Sequence, residues 1–145
     1  MKIEVRSTPF APWELLQAHE REVLAAGRYG ATAVFIGTMR DFNEGDTVRG
    51  MTLEHYPGMT ERHLEKIVAN AIARWALDDA LVVHRVGELN PADPIVLVAV
   101  WSAHRKEAFE ACRHIMEELK SSAPFWKKER LEQGTRWVEK NRSGY

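Results

Sequence analysis

Ala80-Leu-Val-Val-His-Arg-Val-Gly-Glu88 and Ile95-Val-Leu-Val-Ala-Val-Trp-Ser102, separated by the turn-rich Asn90-Pro-Ala-Asp-Pro94, decide the fold class. Both runs are apolar and β-branched, the composition of strands buried in a sheet. The few residues between them are too short for the crossover helix that a parallel pair requires, so the spacing predicts a hairpin-like, antiparallel connection. Working back from there, Leu64, Ile67, Val68, Ala71, Ile72 and Trp75 fall on one stripe of a helix, with Thr60 as its expected N-cap and Met59 and Leu64 spaced as a hydrophobic staple. Gly30 to Thr38 reads as a buried strand with Arg40 just past its end. Asp41 to Arg49 reads as a loop before a strand at Gly50 to Tyr56, which Pro57-Gly58 ends. Met1 to Val5 fits a short strand, and Pro12 to Ala26 a helix opened by Pro and closed by Gly27. Working forward, a helix from about His104 to Lys120 carries Ala108, Phe109, Cys112, Ile115, Met116 and Leu119 on its apolar face, with Ser102 as cap. Phe125 to Leu131 and Thr135 to Val138 complete a hairpin through Glu132-Gln-Gly134. The sum is an α+β fold: about three helices on a mixed, mainly antiparallel sheet, in one domain over residues 1–145.

Composition limits the function. The chain has 145 residues, 45% hydrophobic and 28% charged, which is ordinary for a folded soluble domain. Its longest apolar run, Ile95 to Trp101, is far below the roughly 20 residues of a spanning helix, and the N-terminus does not read as a secretion signal. A cytoplasmic protein without membrane contact is expected. A formal net charge of −1 argues against a nucleic-acid coat. The single Cys112 allows no internal disulfide and no Cys-x-x-Cys pair, and on an apolar helix stripe it reads as core. The six histidines include no pair at metal-ligand spacing on one helix face, and no dinucleotide fingerprint, phosphate loop or nucleophile elbow occurs. Neither a metal nor a cofactor is expected.

What remains is cationic. From Trp101 onward the chain holds ten Lys and Arg against seven Asp and Glu. Ser102-Ala-His104-Arg105 sets an imidazole and a guanidinium at a predicted helix start, where free amides already favour an anion; alternatively Ser102 only caps and both cations point to water. Lys120-Ser-Ser-Ala-Pro-Phe-Trp-Lys127-Lys128-Glu129 brings lysines to a helix end and the strand after it. There they could do acid/base chemistry beside a desolvating Phe125-Trp126 wall, or simply complement the helix dipole and protect a sheet edge. Arg40, at the end of a buried strand, stands where scaffolds often hold functional groups, or else is solvated.

Taken together, Gly37-Thr-Met-Arg40, Leu53-Glu-His-Tyr-Pro-Gly-Met59, His84-Arg-Val-Gly-Glu88, Ser102-Ala-His-Arg105 and Lys120-Ser-Ser-Ala-Pro-Phe-Trp-Lys-Lys-Glu129 resemble the catalytic (large) subunit family of molybdopterin synthase, over Gly30 to about Val138. The resemblance implies an α/β hammerhead-type fold and a homodimer of this chain. It implies one small ubiquitin-like sulfur-carrier subunit with a C-terminal Gly-Gly thiocarboxylate on each copy, making a heterotetramer. The implied substrate is cyclic pyranopterin monophosphate, which takes two dithiolene sulfurs to become molybdopterin. By position, Lys120 resembles the lysine beside the carrier's terminal carbonyl and Lys127 the one acting on substrate. Thr38, Met39 and Arg40 resemble the substrate-contacting strand end, Lys128 and Glu129 a continuation of the pocket wall, and His104 and Arg105 an anion-binding pair reaching across the dimer. Trp101, before Ser-Ala-His-Arg, and Asp41, after Arg40, depart from the smaller residue and the Asn frequent there. On the residues alone, a non-catalytic module holding a phosphorylated ligand or a partner's acidic tail, and a nucleic-acid binder, remain alternatives.

Overall fold

In a computed structural model that describes residues 1–43, 45–131 and 134–138, the chain builds two sheets. The elements are β1 (Lys2–Arg6), α1 (Pro12–Val23), β2 (Ala31–Thr38), β3 (Phe42–Asn43), β4 (Asp46–His55), α2 (Met59–Trp75), β5 (Asp79–Arg85), β6 (Gly87–Leu89), β7 (Pro94–Ser102), α3 (Arg105–Ser122), β8 (Phe125–Leu131) and β9 (Gly134–Trp137). The first sheet runs β1-β5-β7-β2, with β1 parallel to β5 and the other pairs antiparallel. The second runs β3-β4-β8-β9, all antiparallel, with β6 added to β4. The mixed, mainly antiparallel α+β expectation therefore holds.

The first sheet is covered on both faces because its central strands alternate one apolar set against another. Val82, Val98 and Val100 face α2 and α3, packing on Leu64, Val68, Ala111 and Ile115. Leu81, Leu97, Ala99 and Trp101 face α1 through Leu16 and Phe10. A third cluster, Met39, Val48, Met51, Leu53 and Leu89, fills the second sheet. Ile95 and Phe125 pack against both the first and the third cluster, so these two side chains join the sheets.

Several local expectations need correcting. The run 80–88 is two strands: the chain turns at Val86 and Gly87 (φ 86°), so that β5 enters one sheet and β6 the other. The partner of β5 is β7, antiparallel as expected, but β6 intervenes between them. β4 begins at Asp46, inside the expected loop, because Phe42 and Asn43 pair back onto Thr47 and Asp46 as a short hairpin. α1 stops at Val23, three residues before Ala26. Thr60 is not the cap of α2. Gly58 (φ 83°) holds that place, its N–H donating to the Glu61 carboxylate at 2.9 Å, and the staple fails because Met59 is exposed. Ser102 does not cap α3 either, since its hydroxyl donates to the His104 carbonyl at 2.6 Å and His104 takes the cap position. Phe109 is 68% exposed; the buried stripe of α3 is Ala108, Ala111, Cys112, Ile115, Met116 and Leu119. Glu132 and Gln133, in the expected β8–β9 turn, lie outside the described residues.

Candidate functional site

A cavity of about 340 Å³ opens where the two sheets meet, between the end of β2, the C-terminal turn of α3 and the start of β8. Apolar side chains, among them Phe35, Leu53, Met116 and Phe125, form much of its wall. The charged groups on it are Arg40, Lys120 and Lys127, and no Asp or Glu lines it among the described residues. Such a space attracts an anion, because three cations lie on its wall and its apolar side chains keep water from screening them.

Each cation is delivered by a distinct local device. The β2–β7 register shifts between Gly37 and Thr38, a bulge that bends the end of β2. A Cβ on Gly37 would lie 3.0 Å from the Val96 methyl and 3.2 Å from the Phe35 ring, so the close approach there suits a glycine. Beyond the bulge the backbone of Met39 is pinned, donating to the Asp93 carbonyl at 2.9 Å and accepting from the Ala92 N–H at 2.8 Å. Met39 itself is buried in the third cluster and does not line the cavity, whereas Thr38 and Arg40 do. The Arg40 guanidinium also lies 5.0 Å from the centre of the Phe42 ring.

Lys120 stands in the last turn of α3, where a cation complements the helix dipole, and Lys127 is the third residue of β8, paired in register with Leu53. Ala123 and Pro124 are all that separate helix from strand. Thr60 fixes this turn: its hydroxyl donates to the Pro124 carbonyl at 3.1 Å and accepts from the Tyr56 N–H at 3.1 Å. The alternation of β8 then sends Phe125 and Lys127 to the cavity and their neighbours to the other face. Burial, reinforced by the charge of Lys120 and opposed by Glu129, pulls the Lys127 ammonium down to about 8. Near pH 7.5 about a quarter of such lysines are neutral amines, able to take a proton, while the rest can give one.

The remaining expected site residues lie elsewhere. Lys128 sits over the Trp137 ring at 5.4 Å, away from the cavity. Glu129 is buried, accepting from Asn43 Nδ2 at 2.8 Å and Arg136 Nε at 3.4 Å, and reaches the site only through its charge on Lys127. His104 and Arg105 are exposed at the start of α3. Fifteen residues of helix, about 22 Å at 1.5 Å each, separate Arg105 from Lys120, so the pair does not reach the cavity of its own chain. Trp101 faces α1, stacked on His19 at 5.1 Å, and leaves the cavity wall untouched. Cys112 is buried and burial pushes its thiol up to about 11, which disfavours the thiolate that a nucleophile needs.

Sequence reasoning gave His84 no role, yet it lines this cavity. It is 5% exposed, stacks on Phe125 with ring centres 4.0 Å apart, and donates from Nδ1 to the Arg85 carbonyl at 2.8 Å. Burial first, then the charges of Lys127, Lys120 and His55, hold it down to about 4, against the opposing effect of the bond to Arg85. A histidine in the middle of an apolar strand was the available signal, since buried polar groups need a partner.

A family model described as MoaE protein matches residues 6–122. A molybdopterin synthase catalytic subunit of Ralstonia nicotianae is 62% identical over 122 residues, covering 83% of this chain and 69% of the relative. The corresponding subunit of Pseudomonas aeruginosa is 50% identical over 140 residues, covering 96% and 91%. Among solved structures, molybdopterin synthase from Staphylococcus aureus superposes with a TM-score of 0.82 at 32% identity, covering 93% of this chain and 95% of that one.

Proposed function

From the premise that the chain belongs to the MoaE protein family, we propose that it is the catalytic subunit of a molybdopterin synthase. It is a sulfurtransferase that moves sulfur from the thiocarboxylated C-terminus of a small carrier subunit to cyclic pyranopterin monophosphate, forming the molybdopterin dithiolene. The observation that carries the site assignment is the convergence of Lys120, Lys127 and Arg40 on one cavity. Both reactants are anionic, one through a thiocarboxylate and one through a phosphate, and the cavity meets them with fixed positive charge. The sulfur arrives on the partner, so the inert Cys112 is no obstacle.

Within this reading Lys120 lies beside the carrier's terminal carbonyl and stabilises the charge that builds on it. Lys127, the buried lysine with the lowered pKa, exchanges protons with the substrate. Thr38 and Arg40 hold the substrate, Arg40 by the forked contact a guanidinium makes with phosphate, while Met39 keeps that strand end in place. Lys128 and Glu129 serve from outside the wall, Glu129 by tempering the fall in the pKa of Lys127. His104 and Arg105 bind the anion in the cavity of a second copy, since about 22 Å of helix, by its rise, separates Arg105 from Lys120 in its own chain. The working assembly is thus a homodimer carrying two small subunits. No described helix is long and apolar enough to cross a membrane, and the enzyme is assigned to the cytoplasm.

The test is reconstitution: purified chain, thiocarboxylated carrier and cyclic pyranopterin monophosphate should yield molybdopterin. Lys120→Ala and Lys127→Ala should each lower the rate by about a hundredfold or more. Full turnover by both variants refutes the proposed roles. Tight binding of the phosphate ligand with no product from the wild-type chain would instead favour a non-catalytic binding module.

A further inference from the structure

The cavity's cations explain how an anion is held, and leave unexplained how the rest of a ligand is oriented. In their charged forms Arg40, Lys120 and Lys127 are hydrogen-bond donors alone, so none of them then satisfies an N–H that a ligand brings in. Two side chains on the wall can accept: the Thr38 hydroxyl at the exposed rim, and His84 deep inside. The Nδ1–H of His84 is committed to the Arg85 carbonyl at 2.8 Å, which fixes the tautomer and leaves Nε2 with its lone pair. Nε2 makes no hydrogen bond with any described residue. The ring is held in place, 5% exposed and stacked on Phe125 at 4.0 Å and 16°. Burial and the neighbouring positive charges of Lys127 and Lys120 keep the imidazole neutral at physiological pH, so it remains an acceptor when the lysines are charged.

We propose that His84 Nε2 is the acceptor that orients the substrate, taking a hydrogen bond from a ring N–H or amino group of a planar nitrogen heterocycle whose phosphate is held by Arg40 and the lysines. This rests on the reading of the site given above, and names the residue that reads the ring rather than the phosphate. An apolar wall suits the flat heterocycle, and a buried ligand N–H left unpaired would weaken binding by roughly tenfold or more. The arrangement divides recognition in two: charge selects for phosphate, and one neutral nitrogen selects for a ring with a donor edge.

Calorimetric titration with two probes, cyclic pyranopterin monophosphate and inorganic phosphate, separates the halves. His84→Asn retains a donor where Nδ1 stood and removes the acceptor; His84→Gln carries an acceptor out to the position of Nε2. His84→Asn should bind the pterin roughly tenfold more weakly, with His84→Gln recovering most of the loss, while inorganic phosphate binds all three proteins alike. Unchanged pterin affinity in His84→Asn overturns the proposal. So does a parallel loss for both probes, which would mean that the ring only supports the wall. A wild-type chain that binds the pterin yet makes no molybdopterin with a thiocarboxylated carrier would sink the assigned activity and leave this binding split readable.

Discussion

Replacing His84 by Phe should flatten the acid limb of the protein's stability. In the unfolded chain a histidine takes up its proton near 6.5, whereas the buried ring does so only at about 4. Between those values unfolding binds a proton, so acid favours the unfolded state and stability falls as pH drops through that window. The gap amounts to about 3 kcal/mol when fully expressed, and about 2.5 kcal/mol of it appears between about pH 7.5 and about pH 4.5. Phe keeps the stacking on Phe125 and the buried volume but has nothing to titrate. It also loses the bond to the Arg85 carbonyl, a cost of about 1 kcal/mol that does not depend on pH. Urea unfolding of the two proteins at a series of pH values reads the difference directly, because every other titrating group contributes alike to both and drops out. The wild type should lose about 2.5 kcal/mol more than the variant over that range, equivalent to roughly 5 to 10 °C in melting temperature for a chain of this size. Two parallel curves would refute the reasoning, for they would mean that the ring protonates as readily in the fold as outside it.

Sulfur transfer should rise with pH, with its midpoint near 8, if Lys127 works as a base, and Lys120→Met should shift that limb upward, because removing the charge beside Lys127 relieves part of its depression. The rate profile of the reconstituted enzyme checks this, and an unshifted limb would uncouple the lysines. Gly30→Ala should destabilise the chain by about 2 kcal/mol, since the new Cβ overlaps the Ala103 carbonyl just before α3; thermal melting measures it, and a neutral result would mean that loop yields freely. Cys112→Ser should retain full transfer, and native Cys112 should resist thiol reagents until the protein unfolds; rapid labelling of the folded chain would contradict its burial. Arg105→Ala and Lys127→Ala proteins, each impaired alone, should regain about a quarter of wild-type activity per site when co-assembled, because one of the mixed dimer's cavities has both groups; no recovery would place Arg105 outside the partner's cavity.

Much of this was written in residue spacing. The α2 stripe from Leu64 to Trp75 was readable because burial on one side of a helix imposes a 3.6-residue repeat, and its first four members, Leu64, Ile67, Val68 and Ala71, are buried as that repeat requires. The antiparallel β5–β7 pair was readable from the turn between Asn90 and Pro94. Less legible were features set by contacts distant in sequence. Thr60 looked like a cap, and its hydroxyl is instead spent on Pro124, 64 residues away. Phe109 fitted the α3 face by composition, yet its direction from the helix axis takes it off the buried stripe. Lys127 and Lys128 are chemically alike and adjacent; only the strand's alternation separates the one in the cavity from the one on Trp137. His84 was passed over because nothing local says that the surface it faces is hollow.

That alternation at β8 has a consequence for how the chain tolerates insertions and deletions. A strand has two sides and no intermediate setting, so gaining or losing one residue between the α3 terminus and Lys127 would not nudge the ammonium but exchange the two sides wholesale. Loss of one residue would hand Lys128 the inward berth, an ammonium for an ammonium; gain of one would turn the bulky Trp126 into the hollow. The doubled lysine thus makes the pocket's charge robust to a slip in one direction and fragile to the same slip in the other.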